Sequence, residues 1–141
     1  MINLYKELII DHSKNPRNKK KLDIYTHNSR SVNHICGDDY SLYINFIDNF
    51  IFDISFEGSG CSISMASASI MTSEIKGKDY IFSFNLFILF FDILKGKNKK
   101  TDFESLNIFS NLIEFPSRIK CASLIWHILK DALKFNSINK L

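Results

Sequence analysis

Residues 42–60 read LYINFIDNFIFDISFEGSG, and their alternation decides the fold class. Leu42, Ile44 and Phe46 alternate with Tyr43 and Asn45, and Phe50, Phe52, Ile54 and Phe56 alternate with Asp53, Ser55 and Glu57. A period of two is that of a strand with one buried face. Asp48-Asn49 lies between the two runs and tolerates the positive φ of a tight two-residue turn. The stretch therefore reads as an antiparallel hairpin with one apolar face, and such a face needs helices to cover it.

Those helices are legible on both sides. Gly58-Ser59-Gly60 breaks the second strand, and CSISMASASIMTSEIKG follows with Ile63, Ile70 and Met71 at helical spacing and Gly77 as terminator. Its serines and alanines allow close packing. Tyr80 to Leu94 reads as a very apolar helix ended by Gly96, and a shorter helical stretch falls within Asp102 to Glu114. Pro116 suits the first turn of a final helix in which Ile119, Ala122, Trp126, Leu129 and Leu133 form one stripe. Upstream, Ile2 to Ser13 places Leu4, Leu8 and Ile9 near helical spacing, and the pattern stops before Asn15-Pro16. Pro16 to Ser31 is polar and basic and reads as an irregular connection with local extended structure. No repeat or composition break divides residues 1–141, so the expectation is a single α+β domain, a small antiparallel sheet covered by helices.

The chain is 45% hydrophobic and 13% aromatic, enough to build a core without disulfides. Its apolar run from Phe82 to Leu94 is broken by Ser83, Asn85 and Asp92 and falls short of the roughly 18 to 20 apolar residues of a membrane span. The first residues lack the basic, apolar, small-residue layout of a secretory signal, so a cytoplasmic, reducing location is expected. Net charge is +3, unevenly spread. Lys14, Arg17, Lys19, Lys20 and Lys21 cluster in one stretch, whereas Gly37 to Gly60 carries Asp38, Asp39, Asp48, Asp53 and Glu57 without a base. The basic stretch has no interleaved aromatics for stacking on bases, so it reads as a solvated basic loop or a partner-docking surface and not a nucleic-acid site. No G-x-S-x-G elbow supports a serine hydrolase.

Chemistry points to the three cysteines. Cys36-Gly37-Asp38 precedes the hairpin, and the glycine permits a turn sharp enough for thiol and carboxylate to converge. Cys61 follows the glycine-rich break at a helix start, where unpaired backbone N–H groups attract a negative sulfur. Cys121 lies early in the last helix beside Arg118 and Lys120, whose charges would favour its thiolate. Buried packing is an equally weighted reading for any one of these thiols. Separations of 25 and 60 residues match no compact zinc-finger spacing. The four histidines form no metal pattern; His34, two residues before Cys36, is the one nearest the chemistry.

The strings LYKELIIDHSKNPRN, CGDDYSLYINF, FEGSGCSISMASASIMTSEIKGKD and FPSRIKCASLIW resemble the U-type iron-sulfur cluster assembly family (NifU N-terminal, IscU and SufU), in order and over most of the chain. The long insertion between the second and third cysteines and the R-I-K before Cys121 are most similar to the SufU branch. Lys120 stands where the IscU branch has a histidine, and that branch's proline-rich chaperone motif is absent. The resemblance implies the U-type scaffold fold and one zinc ion held by Cys36, Asp38, Cys61 and Cys121, with Arg118 and Lys120 offsetting the excess negative charge of three thiolates and a carboxylate. It further implies Cys36 as the thiolate that takes sulfur from a cysteine desulfurase persulfide for delivery to cluster-accepting apoproteins, while the helix-start position of Cys61 makes that thiol a competitor. Two alternatives stand beside this. One is a scaffold for a transient 2Fe-2S cluster on the same residues; the other is a structural zinc adaptor whose metal only holds the fold.

Overall fold

The structure, a computed structural model, describes residues 2–97 and 100–139. The hairpin forms as expected: β2 (Asp38–Ile47) and β3 (Phe50–Ser59) pair antiparallel, with Leu42 opposite Phe56 and Ile44 opposite Ile54. Asp48 takes the positive φ of the turn, at 54°. One register detail differs from the alternation read in sequence. Pairing steps from Asn45–Asp53 to Phe46–Ile51, a bulge that leaves Phe52 without a partner and slips the phase of the strand. Ile51, Ile54 and Phe56 therefore point into the core, while Phe50 and Phe52 are 54% and 61% exposed.

A third strand, β1 (His27–Asn33), completes a sheet of order β1-β2-β3. The sequence HNSRSVN has one strongly strand-forming residue and lies partly in the stretch read as irregular. It is held by its ladder to β2 and by the final helix, which packs over it with the Phe135 ring 5.3 Å from that of His27.

Among the described residues are five helices, α1 (Ile2–Lys14), α2 (Ser62–Ile75), α3 (Tyr80–Leu94), the single turn α4 (Glu104–Asn107) and α5 (Pro116–Asn139), with a 3-10 turn at Ser110–Glu114; α2 and α5 make the main contacts with the sheet, and α1 and α3 pack on those two. On α5, Ala122, Trp126, Leu129 and Leu133 are buried as the stripe requires. On α1, Leu4 is exposed, and it is Tyr5, Leu8 and Ile9 that touch the core. No helix among the described residues is long and apolar enough to cross a membrane.

The central element is α2, buried from Ile63 through Thr72. A helix covered on every side must satisfy its polar side chains internally, and several hydroxyls of α2 do so by tying neighbouring elements. Ser67 donates to the Ala122 carbonyl at 2.6 Å and accepts from the Trp126 indole N–H at 3.0 Å, fixing α5. Ser69 bonds the His12 ring at 2.8 Å and accepts the Arg17 N–H at 2.9 Å, and Asn18 reaches Thr72 at 3.1 Å. Asn18 in turn accepts the Phe56 N–H at 3.0 Å, so the basic connection is pinned between helix and sheet. Trp126 also stacks on Phe90 at 4.3 Å and 12°, which carries the packing into α3.

Ser67→Ala should leave the buried Trp126 N–H without a partner and lower stability by about 1–3 kcal/mol, read by urea unfolding of the metal-free protein. A change below about 0.5 kcal/mol would mean that the indole finds another acceptor and that Ser67 is not the tie between α2 and α5.

Candidate metal centre

The three cysteines approach from three elements. Cys36 lies in the turn between β1 and β2, closed by a Gly37 N–H bond to the Asn33 carbonyl at 2.9 Å, with Gly37 at a φ of 72° that favours glycine. That reversal puts Asp38 at the first position of β2, fully buried. Cys61 is the N-cap of α2, its sulfur accepting the Ser64 N–H at 3.4 Å. Cys121 sits one turn into α5, buried, beside the Ala122 that Ser67 holds.

The ligand atoms of Cys36, Asp38 and Cys121 all lie within 4.8 Å of one another. Cys61 is not part of that trio by distance, but it borders it. Burial first, then the neighbouring Cys36, Asp38 and Cys61 side chains, raises the Cys121 thiol above its ordinary value of 9.0. This corrects the expectation that Arg118 and Lys120 would favour its thiolate. Both are exposed, the Arg118 guanidinium standing 6.0 Å from the Phe115 ring centroid, and burial is the leading influence on the thiol.

Asp38 tests whether a cation suits the site. Its Oδ1 accepts the Cys61 N–H at 3.0 Å and the Ser64 hydroxyl at 3.0 Å. Its Oδ2 is buried and has no hydrogen-bond partner among the described residues. A carboxylate oxygen left unpaired inside a protein is costly, and a metal ion would relieve that cost. Two soft sulfurs with a carboxylate oxygen, and a third sulfur adjoining, form a donor set that zinc or iron accepts. The residues fit a metal.

Two residues of the site escaped the sequence reading. Tyr40, fully buried two positions beyond Asp38 on the same face of β2, bonds the Ser64 hydroxyl at 2.9 Å. Burial foremost raises its phenol well above the ordinary range, so it remains an O–H group. Ser64 stands three residues after Cys61, where a helix-capping pattern places a side chain near the cap residue. The two-residue period of the strand and the three-residue step of the cap were the available signals. Gly60 closes this pocket: a Cβ there would overlap the Asp38 carboxylate and come within 2.5 Å of the Ser64 hydroxyl.

The NifU-like N terminal domain model matches residues 4–86. The zinc-dependent sulfurtransferase SufU of Bacillus subtilis (strain 168) is 41% identical over 135 residues, covering 92% of this chain and 89% of that protein. The iron-sulfur cluster assembly scaffold protein IscU of Streptococcus pyogenes serotype M1 is 36% identical, covering 93% and 83%. The crystal structure of a scaffold protein assigned to the SUF system of Fervidobacterium islandicum AW-1 superposes with a TM-score of 0.84 at 31% identity, covering 90% of this chain and 94% of that one. The chain belongs to the NifU-like N-terminal family, with IscU and SufU proteins as homologues.

Gly60→Ala should force Asp38 and Ser64 apart and destabilise the metal-free protein by about 1–3 kcal/mol, as overpacking does. Unfolding by urea measures it; unchanged stability would mean that the pocket around Asp38 is looser than these contacts require.

Proposed function

We propose that this protein is a zinc-bound sulfur acceptor in iron-sulfur cluster assembly, taking sulfur from the persulfide of a cysteine desulfurase. The observation that carries the proposal is the convergence of Cys36, Asp38 and Cys121 within 4.8 Å around an unpaired buried carboxylate oxygen. The 41% identity to a protein named a zinc-dependent sulfurtransferase supports it. Cys36, Asp38, Cys61 and Cys121 would hold the metal, with Arg118 and Lys120 as the nearby positive charges on α5. Bound zinc would keep the thiols as thiolates and shield them from oxidation.

Cys36 is the acceptor in this reading, for reasons of access and freedom. Cys121 is buried, and the Cys61 sulfur is committed to the N-terminus of α2 through Ser64. Cys36 is partly exposed on a turn, and its neighbour Ile35, 81% exposed, offers an apolar contact to a partner. The Cys36 thiolate attacks the outer sulfur of the desulfurase persulfide. A new sulfur–sulfur bond forms at Cys36 as the old one breaks, and the desulfurase cysteine leaves with that electron pair as a thiolate. No net oxidation occurs; one sulfur changes carrier and then passes to cluster-accepting apoproteins. The reducing cytoplasm suits three free thiols.

The 36% identity to an IscU scaffold favours a second reading, in which a 2Fe-2S cluster is built as cargo on the same residues. A ligand set of three thiolates and one carboxylate is one thiolate short of the usual four, which suits a cluster that must be handed on.

Cys36→Ser is expected to abolish uptake of labelled persulfide sulfur from a desulfurase while the fold is retained by circular dichroism. Full transfer in that variant would move the acceptor role to Cys61 or Cys121.

A further inference from the structure

Oδ2 of Asp38 has no partner among the described residues while Oδ1 is engaged, and that engagement has an identifiable source. Oδ1 accepts two bonds, one from the Cys61 backbone and one from Ser64. The backbone bond comes with the helix N-terminus. The second depends on one side chain whose proton has competing destinations: Ser64 Oγ lies 3.0 Å from Asp38 Oδ1, 3.0 Å from the Cys61 carbonyl and 2.9 Å from the Tyr40 hydroxyl. A serine hydroxyl has one proton to give. Tyr40 decides the matter. Its buried phenol must itself donate, and Ser64 Oγ is the partner it has. With Tyr40 donating to Ser64, the serine proton goes to the strongest acceptor in reach, the carboxylate oxygen. The relay Tyr40 to Ser64 to Asp38 then polarises in one direction.

We propose that Ser64, oriented by Tyr40, is the positioning residue that makes Asp38 a one-oxygen metal ligand. Pinning Oδ1 prevents the carboxylate from rotating to offer both oxygens, and leaves Oδ2, without a partner among the described residues, to meet the ion. Gly60 belongs to the same device, because the space that a Cβ would take is occupied by Asp38, Ser64 and Tyr40. A carboxylate held through one oxygen has a single bond to the ion to break, which is what a site that opens to a partner requires. The proposal rests on the metal-binding reading given above and concerns only the residues that orient its oxygen ligand.

The test is metal affinity and cobalt spectroscopy in a double-mutant cycle. Zinc affinity is measured by competition with a chromophoric chelator, and the visible spectrum of the cobalt-substituted protein reports ligand geometry. Ser64→Ala is expected to weaken zinc by about ten- to a hundredfold, the range for loss of a residue that orients a ligand, and to alter the cobalt bands. In an Asp38→Ala background, Ser64→Ala should cause little further loss, because the group it acts through is gone. Tyr40→Phe should give a smaller loss in the same direction, and it carries the test if Ser64→Ala does not fold. An unchanged affinity and spectrum in a folded Ser64→Ala protein, or an equal loss in both backgrounds, would overturn the positioning role. Failure of the wild-type protein to bind zinc or cobalt would overturn the metal reading itself, and this proposal with it.

Discussion

A helix buried on every side has no water for its hydroxyl groups, and that constraint on α2 organises the rest of the molecule. Ser67 spends its bonds on α5, Ser69 and Thr72 on the segment leaving α1, and Ser64 on the beginning of β2. The small side chains let these neighbours come close, and the hydroxyls then fix where they stop. Remove the polar ties and an apolar core of Ile, Leu and Phe would remain, but with less to specify which turn of α5 faces which turn of α2. The site cysteines sit at the ends of these same elements. Their convergence follows from the packing of α2 and needs no separate device.

The same logic explains why the carboxylate is the informative residue and not the thiols. A buried cysteine is unremarkable as packing, and Cys121 lies in the core cluster. A buried carboxylate with one oxygen doubly bonded and the other bare is harder to explain by packing, since the bare oxygen costs stability unless a cation meets it. Tyr40, Ser64 and Gly60 add a shell around Asp38: the Tyr40 ring packs in the core against Phe56, while its hydroxyl turns to Ser64. The hydroxyl of Tyr40 meets Ser64, Ser64 meets the carboxylate, and Gly60 leaves the room both need, which is the chain of contacts a ligand-orienting role requires.

Much of this was legible in the chain because it follows local periods. The hairpin, its Asp48 turn, the glycine-ended helices and the stripe of α5 all come from residue spacing. What was not legible depended on distant partners. The phase slip at Phe52 arises from pairing across to Asn45 and Phe46, and nothing within FIFDISF marks it. The polar strand β1 is a strand because β2 and α5 hold it, with little propensity of its own. The Cys121 thiol was expected to be influenced by the adjacent Arg118 and Lys120, yet burial and groups from three other elements are the leading influences. Tyr40 and Ser64 were hidden for the same reason: a tyrosine in a strand and a serine in a helix acquire meaning only when 24 residues of chain bring them to 2.9 Å.

The most direct measurement is elemental analysis of the anaerobically purified protein for zinc, iron and acid-labile sulfide. About one zinc per chain, without iron or sulfide, is the expected result for a single four-ligand centre. Iron with matching sulfide would replace the sulfur-acceptor reading with the scaffold reading on the same residues. A protein that holds neither metal, and takes up neither on reconstitution, would contradict the central claim that Cys36, Asp38, Cys61 and Cys121 form one metal centre.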